Sequence, residues 1–114
     1  MNTTDQTGCD ACATGDKALS AEQSAALLRQ LDGWQIETAG SVAQLRKRYR
    51  FADFRQALDF TNQVGRLAEE YNHHPALLTE WGAVTVRWWT HSVAGLQQND
   101  FSMAARTDAL ARSS

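Results

Sequence analysis

The first regular spacing of apolar residues follows Ser20, where Ala21, Ala25, Leu28 and Leu31 recur three and four apart, the period of one helix face. Ser20 and Gln23, three residues apart, form a capping-box pair at the start of this helix, and Asp32-Gly33 is the expected stop. Trp34–Thr38 is a short β-prone run, Ala39-Gly40-Ser41 reads as a turn, and Val42–Phe51 alternates with Ala43, Leu45, Tyr49 and Phe51 on one side. Arg46, Arg48 and Arg50 fall on the other side, as a solvated outer face or a grip for an anion. Asp53 and Gln56 repeat the capping-box signature, and Phe54, Ala57, Leu58, Thr61, Val64, Leu67, Ala68 and Tyr71 trace one stripe of a long helix. Pro75 is the expected terminator, because it pushes His74 out of the helical region. Leu77–Trp81 and Ala83–His91 read as two further strands around Gly82, and Asn99 or Asp100 caps a last helix running toward Leu110.

The predicted order is therefore α-β-β-α-β-β-α. Hairpins joined by helices favour an α+β fold: a four-stranded, mainly antiparallel sheet with three helices on one face. Trp88 and Trp89 are consecutive in a strand and must point to opposite faces, so one of them lies outside the helix-covered core. An aromatic so placed marks an expected interface between identical chains. Residues 1–17 have no apolar periodicity and read as a disordered tail, leaving 18–114 as the folded domain.

Composition narrows the picture. A chain of 114 residues with 43% hydrophobic positions has room for one core, and a net charge of −2 makes neither nucleic acid nor an anionic membrane the default partner. A small-molecule substrate is the expectation. No apolar run approaches the ~20 residues of a membrane span, and the leader is polar and acidic, so a soluble, unexported, cytoplasmic protein is expected. The two cysteines, Cys9 and Cys12, both lie in the leader and cannot staple the core; as an isolated C-x-x-C pair they are a weak redox or metal signal.

All three histidines fall in the second half: His73 and His74 after the long helix, and His91 at the end of the last predicted strand. Glu69 lies four residues before His73, a spacing that pairs side chains on a helix, and the helix C-terminus favours an imidazolium. Such a histidine suits general acid catalysis near neutral pH. Two other readings stay open: His73-His74-Pro75 as a plain helix cap, or three histidines holding zinc with an open position.

The stretch Glu69, three residues, His73-His74-Pro75, five residues, Trp81, nine residues, His91, eight residues, Asp100 resembles the signature of the pterin-4a-carbinolamine dehydratases. The likeness extends over about Leu19 to Leu110, with Phe51-Ala52-Asp53-Phe54 and Gly95-Leu96 also matching. It implies loss of water from a 4a-hydroxytetrahydropterin to give the quinonoid dihydropterin, without metal or organic cofactor. By position, His73, His74 and His91 would be the catalytic set, with His73 and His91 the acid/base pair and His74 chiefly binding. Pro75, Thr90, Ser92 and Val93 would line the pterin site, and Glu69 and Asp100 would bind there and orient the histidines. Family members are dimers or tetramers, so a homodimer or homotetramer is implied. Asn72 stands where the family often has an acidic residue. The resemblance also carries a non-enzymatic alternative, since animal members double as dimerising coactivators. An association of some members with the molybdenum cofactor leaves the physiological pterin open.

Overall fold

The computed structural model describes residues 17–113. Its elements are α1 (Ala21–Leu28), β1 (Gln35–Ala39), β2 (Val42–Arg50), α2 (Phe54–Tyr71), β3 (Ala76–Glu80), β4 (Ala83–Trp88), a 3-10 turn (His91–Val93) and α3 (Gln98–Arg112). The four strands form one antiparallel sheet in the order β1-β2-β4-β3, so the two hairpins join through β2 and β4 at its centre. The expected α+β architecture is observed.

Strand parity divides the residues between the faces. Leu45 on β2 and Val84, Val86 and Trp88 on β4 are fully buried beneath the helices, together with Phe60 and Val64 of α2 and Ala104 of α3. The Thr61 and Thr79 hydroxyls meet at 2.5 Å where α2 crosses β3. The opposite face carries Glu37, Gln44, Arg46, Arg48, Thr85, Arg87 and Leu78, and no described helix covers it.

Several local expectations are corrected. The Ser20–Gln23 capping box forms as read, but α1 buries Ser24 and packs Leu27 and Leu28 inward, while Ala21 and Ala25 are exposed. A methyl side chain adds too little apolar area to set the orientation of a two-turn helix against leucines. Asp53 caps α2 by accepting from the Gln56 N–H at 2.9 Å, but the Gln56 side chain answers to the Ala52 N–H at 3.2 Å, one residue earlier than a capping box requires. The inward stripe of α2 is Ala57, Phe60, Val64 and Ala68; Phe54, Leu58 and Tyr71 are exposed, and Tyr71 lies beneath the Arg106 guanidinium at 4.3 Å. Helix α2 ends before Pro75 acts, because Asn72 adopts a left-handed conformation (φ +50°) and the His73 N–H closes back onto the Ala68 carbonyl at 3.1 Å. Asparagine is one of the few residues that accepts that conformation readily. Gly82 (φ +77°) makes the β3–β4 turn, where an added Cβ would lie 3.3 Å from the Phe51 carbonyl oxygen that packs on it.

A partly buried polar cluster ties α3 to the sheet. Asp108 accepts from the Trp34 indole N–H at 3.1 and 3.2 Å, from the Lys47 ammonium at 2.9 Å and from the Tyr49 hydroxyl. Lys47 projects from the core side of β2 between Leu45 and Tyr49, and its ammonium lies 5.0 Å from the Tyr49 ring centroid. Burial, followed by the bond to Asp108 and that carboxylate's charge, holds the Tyr49 phenol well above its ordinary pKa.

Candidate active site

The centre of the site is one carboxylate. Asp100 is wholly buried at the third position of α3, where its Oδ2 accepts the Gln97 N–H at 2.9 Å and the Thr90 hydroxyl at 2.8 Å. Its Oδ1 lies 2.6 Å from His73 Nε2. A buried carboxylate is tolerated only when its lone pairs are satisfied, and these contacts do so while joining three separate segments: the exit of α2, the loop after β4 and the start of α3. Asp100 therefore does not cap α3 as an N-cap residue; Gln97 occupies that position, and Asp100 reaches back to it from one turn inside.

His73 is also stacked on Trp88, with ring centroids 5.7 Å apart and planes 4° from parallel. Its side chain is 16% exposed, so a stacked face and a bonded nitrogen hold the ring at the edge of the core. The expected Glu69–His73 pair does not form. Glu69 Oε2 lies 2.6 Å from His74 Nε2 instead, because the left-handed turn at Asn72 swings His73 off the helical path that the four-residue spacing assumes. The Glu69–His74 pair is exposed, whereas the Asp100–His73 pair is sheltered.

His91 does not lie in a strand. Strand β4 ends at Trp88, and Thr90 and Gly95 then exchange backbone hydrogen bonds at 2.8 and 3.4 Å, closing a loop around the 3-10 turn that carries His91, Ser92 and Val93. Ser92 and Val93 thus share this loop with His91, Thr90 closes it, and Pro75 leads into β3 beside the two other histidines. The His91 ring is exposed and stacks on Trp89 at 4.5 Å and 22°. The expectation that the two tryptophans share a strand and that one stands outside the core is corrected: β4 ends at Trp88, and Trp89, partly buried, packs against the core cluster; Trp88 backs His73 and Trp89 backs His91. The adjacent Trp-Trp-Thr-His run was the signal.

Among the described residues no three His, Cys, Asp or Glu side chains converge as a metal-ligand set. Cys9 and Cys12 lie outside the described residues, as does the expected tail apart from Lys17. Nor, among the described residues, is any helix long and apolar enough to cross a membrane.

The structure thus combines three helices on a four-stranded antiparallel sheet with a carboxylate-anchored histidine and two more histidines. The family described as Pterin 4 alpha carbinolamine dehydratase matches residues 17–110, and the chain belongs to it. It is 52% identical over 106 residues to a Vibrio cholerae protein provisionally named pterin-4-alpha-carbinolamine dehydratase, covering 93% of this chain and 97% of that one. A Syntrophotalea carbinolica protein of the same provisional name is 51% identical over 102 residues, covering 90% and 91%. Among solved structures, the transcriptional coactivator/pterin dehydratase from Brucella melitensis superposes with a TM-score of 0.75 at 32% identity, covering 83% of this chain and 99% of that one. A pterin dehydratase-like protein identified as a RuBisCO assembly factor in the alpha-carboxysome superposes at 0.60 with 27% identity, covering 70% and 90%.

Proposed function

We propose that residues 18–114 form a dehydratase domain that converts a pterin-4a-carbinolamine to the quinonoid dihydropterin and water, with His73 and His91 as its acid and base. One imidazolium gives a proton to the 4a-hydroxyl as the C4a–O bond breaks and water leaves. The other histidine, neutral, takes the proton from N5 as the C4a–N5 double bond forms, and exchange with solvent restores both. The observation that carries this reading is the buried Asp100, which fixes the His73 ring through Nε2 and ties it to Thr90 at the root of the His91 loop. Stacking on Trp88 and Trp89 holds both rings against tilting, as a positioned proton donor or acceptor requires. His74, exposed and paired with Glu69, serves binding. Pro75, Ser92 and Val93 line the ring.

The test is carbinolamine dehydration by the purified chain and its variants. His73→Ala and His91→Ala should each lower kcat by roughly 10²-fold, with activity unaffected by exhaustive chelation. Separated 4a epimers assign the roles. If each histidine serves one epimer, a single variant retains the other; if both act on one epimer, each single variant is nearly as poor as the double. Full activity in the double variant overturns the assignment. A second reading, a binding module without catalysis, is favoured by the names of the two structural neighbours, one a coactivator and one an assembly factor. Absence of dehydration by the wild-type chain would select it.

A further inference from the structure

The uncovered face of the sheet holds an arrangement that the dehydration chemistry does not use. Arg46 on β2 and Arg87 on β4 are register partners, and Arg48, next on the same face of β2, is the partner of Thr85. Like charges directly opposite one another in a sheet are destabilising unless something lies between them. Glu37 does this incompletely: its carboxylate is 2.6 Å from an Arg87 nitrogen but 3.9 Å from the nearest Arg46 nitrogen. Glu80 engages one nitrogen of Arg48 at 3.2 Å. Three guanidiniums thus face two carboxylates, within a chain whose net charge is −2. Thr85, 4% exposed, supplies the independent observation, because its hydroxyl sits on this face with no hydrogen-bond partner. Leaving a buried hydroxyl unpaired is costly, and natural structures keep few such groups.

We infer that Arg46, Arg48, Arg87 and Thr85 form an oxyanion-binding site on the open sheet face that takes a phosphate or carboxylate group. The guanidinium forks supply in-plane pairs of N–H donors suited to such an anion, and the Thr85 hydroxyl gives it a neutral donor beneath. An oxyanion here screens Arg46 from Arg87 and satisfies Thr85 in one step. Two residues along the chain from Arg87, just past the end of β4, stands Trp89, which stacks on His91. An anionic side chain on a pterin held at His91 is one source of such a group, and free phosphate is the other. The first origin rests on the dehydratase reading, whereas the site itself does not.

Isothermal titration of the full chain with inorganic phosphate at constant ionic strength tests the site. Phosphate should bind the wild type, bind about tenfold more weakly to Thr85→Val through loss of one charge-assisted bond, and fail to bind Arg46→Gln/Arg87→Gln. Thr85→Val keeps the shape of the side chain and removes the orphan hydroxyl, so without phosphate its Tm should equal or exceed that of the wild type. This separates ligand binding from folding. No binding by the wild type, or equal binding by the wild type and Thr85→Val, overturns the site. A pterin phosphorylated on its side chain, compared with the dephosphorylated compound, identifies the source. Binding tighter by tenfold or more, lost in the double arginine variant, assigns the oxyanion to the substrate. Equal binding of the two pterins, with phosphate still held, assigns the site to free phosphate. Phosphate binding by a chain that performs no dehydration keeps the site and removes only the dehydratase reading.

Discussion

Replacing Asp100 with asparagine changes one atom at the point where three segments meet. The side chain is wholly buried and takes hydrogen bonds from the Gln97 N–H, the Thr90 hydroxyl and His73. Hydrogen bonds to a charged group contribute about 1.5–3 kcal/mol and neutral ones about 0.5–1.5, so neutralising the acceptor costs about 1 kcal/mol for each of the three. The expected loss is about 3 kcal/mol, which for a domain of this size lowers Tm by at least ~10 °C. The catalytic consequence is separate. If the amide oxygen keeps the Gln97 and Thr90 contacts, the amide NH2 faces His73 Nε2, which must then present a lone pair. His73 can then no longer donate through Nε2, so its ring must turn or exchange tautomer and the nitrogen presented to the substrate is displaced, and kcat should fall roughly 10²-fold even at temperatures where the variant remains folded. Thermal melts by circular dichroism and dehydration kinetics measured well below the lowered Tm check the two effects independently. Wild-type kcat in Asp100→Asn would refute the claim that this carboxylate positions the His73 ring for proton transfer. A wild-type Tm would refute the energetic assignment.

The Tyr49 phenol has a raised pKa when folded, so above pH ~10 the unfolded chain releases a proton that the folded chain retains. Stability should be full below that pH and fall by about 1.4 kcal/mol per pH unit above it, and Tyr49→Phe should remove this component of the slope in alkaline urea titrations; an unchanged slope would count against it. His74→Ala should raise KM with a smaller change in kcat, because its exposed pair with Glu69 is suited to binding rather than proton transfer. A kcat loss equal to that of His73→Ala would contradict this division. The chain should form a symmetric homo-oligomer, a dimer or tetramer, since Leu78 and Trp81 are 57% and 73% exposed at the β3 edge and its turn. Light scattering that finds a monomer at micromolar concentration would remove this expectation.

The order of elements was legible because strand alternation and helix caps are local: Ser20 with Gln23, or Val84, Val86 and Trp88, need no knowledge of distant residues. The errors arose where a distant partner decides. Lys47 reads as one more polar residue of β2 until Asp108 arrives from the last helix, and Phe60, absent from the stripe read along α2, is buried because Tyr49 and Phe51 stack around it at 4.8 and 5.0 Å. Spacing likewise located the histidines but not their partners. The four-residue interval from Glu69 to His73 assumes a continuing helix, and the left-handed Asn72 breaks that assumption. Asp100 could be placed by its interval from His91, yet its bond to His73 spans 27 residues and depends on how α3 docks.

Besides its core packing and the Trp88–Thr107 bond, helix α3 carries two aspartate anchors, Asp100 in its first turn and Asp108 eight residues on. At 1.5 Å and 100° per residue these anchors stand about 12 Å apart along the axis and about 80° apart around it. A rod fastened at one point can pivot or roll; fastened at two points offset in both senses, it can do neither. The Trp34–Lys47–Tyr49 cluster, though remote from the histidines, thereby acts as the far bearing of the same shaft. Wear at that bearing would appear as play in the aim of His73.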